Sequence, residues 1–106
     1  MALSEQEFRI KSDEALEQAR RALMTLADDD AGFELELQNG VLNLVFEEPS
    51  ETKFVVSPNA PVRQIWVSAM GKSYKLGWSP EQGAFAINGE ALTQLLDRLT
   101  RVFLRR

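Results

Sequence analysis

The sequence predicts an α+β domain: a two-layer α/β sandwich with two terminal helices packed on one face of a mainly antiparallel sheet of about six strands. Three observations predict it. Apolar residues recur at three- and four-residue steps near both ends of the chain, and consecutive period-two patterns lie between those ends. The strand patterns are joined by short polar turns, which favour antiparallel neighbours. At 106 residues, 44% of them apolar and 26% charged, the chain matches a single domain over 1–106 with one core, not a disordered or fibrous polypeptide.

The first helix is announced by Ser4, an N-cap with Glu7 three residues on as in a capping box, and by Leu3 and Phe8 as a flanking staple. Phe8, Ser12, Ala15, Leu16, Ala19, Leu23 and Leu26 then form one stripe, predicting an amphipathic helix to about residue 27. Asp28-Asp29-Asp30-Ala31-Gly32 ends it, because aspartates compete for backbone hydrogen bonds and glycine permits a chain reversal. Phe33-Glu34-Leu35-Glu36-Leu37 alternates, Asn39-Gly40 supplies a hairpin turn, and Val41 to Phe46 is the returning strand.

A third strand is predicted from Thr52 to Val56, after which Ser57-Pro58-Asn59-Ala60-Pro61 interrupts the pattern. Ala60 to Ser68 holds the next strand signal behind Pro61. Its alternation sends Ile65 and Val67 to one face and Gln64, Trp66 and Ser68 to the other, so a large aromatic is expected on the solvated side. Tyr74-Lys75-Leu76-Gly77-Trp78 alternates next, with Trp78 expected in core or sheet-edge packing, and Ala84 to Ile87 is a weak last strand closed by Asn88-Gly89. From Glu90 the helical period returns, with Leu92, Leu95, Leu96, Leu99, Val102 and Phe103 inward and Arg98, Arg101, Arg105 and Arg106 toward the carboxyl end, where cations complement the helix dipole.

Composition narrows the chemistry. The chain has no cysteine and no histidine, which removes disulfides, thiol nucleophiles, the commonest general base and the usual transition-metal ligands. A formal charge of −4 argues against nucleic acid, where affinity rests on cations facing phosphate. No paired-carboxylate, nucleophile–base or phosphate-loop constellation stands out, so the expectation is a non-enzyme. Neither end carries an apolar stretch long enough for a signal peptide or a membrane span, and the expected compartment is the cytoplasm.

The element order, with Asn39-Gly40-Val41-Leu42 in the first hairpin and Pro61-Val62-Arg63-Gln64-Ile65-Trp66-Val67-Ser68 in the fourth strand, resembles the frataxin family over nearly the whole chain. The resemblance implies an iron-associated accessory protein of iron–sulfur cluster assembly, acting as a monomer that binds the cysteine desulfurase and scaffold proteins and modulates sulfur transfer. The residues it puts at the partner surface are Gln64 and Trp66, flanked by Arg63 and Ser68, with Lys75 as the basic residue on the following strand; Ser57 stands where the family often has asparagine.

The resemblance also implies weakly bound iron (Fe2+ or Fe3+) on an acidic ridge along the first helix and first strand, where hard carboxylate oxygens suit oxygen-rich sites. The carboxylates here are Glu5, Glu7, Asp13, Glu14 and Glu17, then Asp28, Asp29 and Asp30, then Glu34 and Glu36, and Arg20-Arg21 interrupts them. The metal cluster it points to is Asp28, Asp29 and Asp30 with Glu34 or Glu36, joined by Glu17. By default the two arginines are a solvated helix face paired with Glu17 at helical spacing. A small acidic α+β secretion chaperone acting as a dimer fits the size and acidity as well, but not the Pro-x-x-Gln-Ile-Trp strand. An iron-oxidising or iron-storing enzyme would need a fuller metal centre than this chain offers.

Overall fold

A computed structural model describes residues 3–27 and 32–105. Helix α1, Glu5–Leu26, starts as its sequence dictates: the Ser4 hydroxyl accepts from the Glu7 amide at 3.1 Å, and the Glu7 carboxylate accepts from the Ser4 amide at 3.0 Å. These bonds satisfy two of the amides that a helix start leaves open. Phe8, Ser12, Leu16, Ala19, Leu23 and Leu26 are buried along one stripe, with Ala15 at its margin. The aspartate run expected to end the helix lies outside the described residues.

The sheet runs β1 (Phe33–Gln38), β2 (Val41–Phe46), β3 (Thr52–Asn59), β4 (Gln64–Ala69), β5 (Lys72–Ser79), β6 (Ala84–Ile87) and β7 (Glu90–Ala91), followed by α2 (Leu92–Leu104). Its spatial order is its sequence order, and every neighbouring pair is antiparallel. Asn39 and Gly40 both take positive φ, 53° and 75°, the conformation that lets a two-residue turn match the twist of its strands.

Three boundaries differ from expectation. β3 continues through Pro58 to Asn59. Beyond Val56 it pairs with β4 alone, so the amide that proline lacks is not missed on the β2 side. Ala60–Val62 is a 3-10 turn closed by the Arg63 amide on the Ala60 carbonyl at 3.1 Å, with Arg63 at φ 54°, and β4 begins only at Gln64. Asn88-Gly89 does not close the sheet but turns it into the two-residue β7, making seven strands among the described residues where about six were expected.

Both helices lie on one face. Leu42, Leu44, Phe46, Phe54, Val56, Ile65, Val67, Ala69, Leu76 and Phe85 point toward them and are buried. The Phe46 ring lies 5.1 Å from Phe33 and 4.7 Å from both Phe54 and Phe103, centroid to centroid. Aromatic pairs at such distances add about 0.5–1.5 kcal/mol each beyond the area they bury. Val102, expected to face inward, is 58% exposed, and Thr100 is buried instead. Packing of Phe103 on Phe46 and Phe54 turns the stripe so that Val102 falls at its rim.

Candidate functional site

On the face away from the helices, β4 presents Gln64, Trp66 and Ser68, the alternates of the buried Ile65, Val67 and Ala69. Trp66 is 36% exposed. Register sets its neighbours: Ser57 of β3 and Lys75 of β5 lie directly opposite Trp66, Asn59 and Gly77 opposite Gln64, and Val55 and Ser73 opposite Ser68. Directly opposed side chains in a sheet are within reach of each other, and two contacts here order the group. The indole N–H donates to Gln64 Oε1 at 2.9 Å, and Lys75 Nζ lies 4.8 Å from the centre of the indole ring.

The first contact satisfies the polar edge of the tryptophan and fixes the glutamine amide, leaving its NH2 group to donate elsewhere. The second holds a cation against the electron-rich ring without cancelling its charge, an interaction worth about 0.5–1 kcal/mol at an exposed site. An apolar plate, an amide donor and a positive charge therefore share one patch of open sheet. Such a combination suits recognition of a protein surface carrying acceptors or carboxylates.

Arg63, expected beside them, is not brought onto this face. Its guanidinium turns back to donate to the Ala60 carbonyl, and the side chain is half-buried against the 3-10 turn. Asn59, which the sequence reading passed over, does reach the face: the strand extension through Pro58 places it opposite Gln64, an asparagine at the strand end two residues beyond Ser57. The signal was the continued alternation of Val55, Ser57 and Asn59. Trp78 behaves as packing, with its ring 5.2 Å from Phe85 and Lys11 Nζ 5.6 Å from its centre.

The candidate metal residues do not converge. Glu34 and Glu36 are exposed alternates on the edge strand β1, sharing the open face through their register with Val45 and Asn43. Glu17 belongs to the helix layer. There Arg20 Nη2 donates to its Oε1 at 2.6 Å, Arg20 Nε to its Oε2 at 3.0 Å, and Arg21 Nε to Oε1 at 3.1 Å. The Arg20 hydrogen bond, with Arg21 adding to it, pulls the Glu17 carboxyl from its ordinary 4.5 down to about 2. Asp28, Asp29 and Asp30 lie outside the described residues. Among the described residues no three carboxylates form a group able to hold a metal ion. Glu34 and Glu36 alone offer two carboxylates, fewer than the several oxygens a hard cation gathers, so the described residues do not by themselves fit an iron site.

The arginines of α2 are also engaged: Arg98 forks onto Glu90 at 2.8 and 2.9 Å, and Arg101 reaches Asp97 at 3.0 Å. No helix among the described residues is long and apolar enough to cross a membrane.

Comparison with known proteins places these features among relatives. A family model described as a frataxin-like domain matches residues 1–105. The protein named iron-sulfur cluster assembly protein CyaY from Pseudomonas aeruginosa is 36% identical over 78 residues, 70% of each chain. Its namesake from Ectopseudomonas mendocina is 32% identical over 104 residues, 94% of this chain and 88% of its own. The solved frataxin of Psychromonas ingrahamii superimposes with a TM-score of 0.67 over 94% of this chain and 90% of that one, and its 18% identity speaks for the fold alone.

Proposed function

Because this chain belongs to the frataxin-like family, we propose that it is a non-catalytic accessory protein of iron–sulfur cluster assembly, the process for which its relatives are named. It acts in the cytoplasm as a monomer, docking on the cysteine desulfurase and scaffold complex through the open sheet face and modulating sulfur transfer. The observation that carries this reading is the ordered group of Trp66, Gln64 and Lys75, in which a 2.9 Å hydrogen bond and a cation 4.8 Å from the ring hold an aromatic in water. Aromatic anchors that are rigid before binding lose less entropy on docking. Ser68 and Ser57 flank the tryptophan as small hydroxyl residues, so a partner can approach the ring without a steric wall.

Iron is the lesser part of the proposal. The acidic stretch from Asp28 through Glu36 takes a ferrous ion loosely, as cargo passed to the assembly complex, with Glu34 and Glu36 as its exposed carboxylates. The absence of cysteine and histidine supports weak oxygen ligation over tight binding.

The test is binding of a Trp66→Ala variant to a desulfurase–scaffold complex by surface plasmon resonance, with circular dichroism as the folding control. A loss of at least about tenfold in affinity is expected for a central aromatic anchor. Undiminished binding by the folded variant would remove the docking claim.

A further inference from the structure

Glu17 is a half-buried carboxylate held by three donors. Arg20 grips both of its oxygens through Nε and Nη2, and Arg21 adds a third donor to Oε1. The remaining edge of Arg20 is used as well, since Nη1 donates to Met24 Sδ at 3.2 Å. A forked pair of this kind has geometric as well as electrostatic preference, and guanidinium groups stay charged at any accessible pH. Arg20 also lines the crevice between α1 and β1 together with Met24, Ala27, Phe33, Glu34 and Leu35.

We infer that Arg20 and Arg21 are tethered counter-ions that close Glu17 to metal ions and separate the carboxylates of α1 from those of β1. A divalent ion approaching Glu17 meets a trio of net charge +1. Displacing the arginines does not remove them, because both stay attached one turn away on the same helix. A metal that won the carboxylate would sit beside two guanidinium groups, whose repulsion acts well inside the screening length of about 8 Å at physiological salt. An ion shared between Glu17 and Glu34 would also have to pass the crevice that Arg20 lines. Where an acidic helix would carry a loosely held ion, this turn of α1 carries its own cations, and Glu17 is withdrawn from metal binding. The inference concerns metal alone and rests on nothing in the docking proposal.

The test is a double-mutant cycle read by Mn2+ binding, with the electron paramagnetic resonance signal of the free ion as the measure and 0.15 M salt to suppress long-range effects of the charge changes. The expected result is that E17Q in the natural background changes Mn2+ affinity less than twofold, because Glu17 is already occupied. The R20Q/R21Q variant raises affinity at least threefold, and adding E17Q cancels that gain. The inference is overturned if E17Q alone weakens Mn2+ binding threefold or more, or if R20Q/R21Q leaves it unchanged. Helix content by circular dichroism controls for folding of all three variants. The titration contains no partner protein, so its failure leaves the Trp66 reading standing, and failure of the Trp66 test leaves this one standing.

Discussion

Strand β4 serves two unlike surfaces through alternate residues. Ile65, Val67 and Ala69 are at most 2% exposed beneath the helices, whereas Trp66, between Ile65 and Val67 in the chain, is 36% exposed and held by Gln64 and Lys75. On the covered face, position is enforced from every direction by close packing. On the open face it is enforced by two directed contacts within the sheet itself. Under the proposed docking role, stability and recognition fall to interleaved residues of one strand, and each should be alterable with limited damage to the other.

The largest effect that would break this separation is on the covered side. Ile65→Ala should cost about 2–5 kcal/mol, the range for truncating a buried aliphatic side chain, and lower the melting temperature by roughly 4–8 °C per kcal/mol in a domain near this size. Calorimetry checks this, and under the docking proposal the fraction that stays folded should show an unchanged affinity for the desulfurase complex. Trp66→Ala should invert the pattern: the at least tenfold loss of binding described above, with only roughly 1–2 kcal/mol of stability lost because part of the ring is already in water. A stability loss equal to that of Ile65→Ala would erase the distinction between the two faces.

Lys75→Gln comes next. It removes the charge over the ring and shortens the side chain by one atom while keeping a polar tip, so binding should weaken about threefold and lose part of its salt dependence, with a stability change under about 1 kcal/mol. Measuring the affinity at two ionic strengths separates the charge from the stem. The smallest effect belongs to α1, where the same kind of separation extends beyond the sheet. Glu17 has a folded-state value depressed from 4.5 to about 2, so whatever stability it contributes is fully present above about 4.5 and is lost as pH falls through about 2. The carboxyl carbon shift of Glu17 should therefore titrate near 2, with melting unaffected by this pair between pH 7 and 5. A midpoint near 4.5 would show that the arginines do not hold it.

Much of this was legible because it is local. The Ser4 and Glu7 cap, the Asn39-Gly40 turn and the outward Trp66 each depend on residues a few positions apart, and a three-residue step was enough to pair Glu17 with Arg20. What escaped depends on distant neighbours. Whether Pro58 can lie in a strand is decided by where β2 ends, and the choice of Thr100 over Val102 by where Phe103 finds Phe46. Arg63 shows the same limit from the other direction: a cation next to Gln64 in sequence turns away because the 3-10 turn offers it the Ala60 carbonyl. β7, two residues long, has no period to read.

The position of α2 has a bearing on how the protein is made. Phe103 closes over Phe46 and Phe54, yet it is translated after every strand of the sheet. While the ribosome is still adding α2, the completed meander carries its phenylalanines without that cover, and a nascent chain with exposed apolar surface is a substrate for holding chaperones and a risk for aggregation. Among the described elements, α2 is thus the one whose arrival completes the cover over these rings.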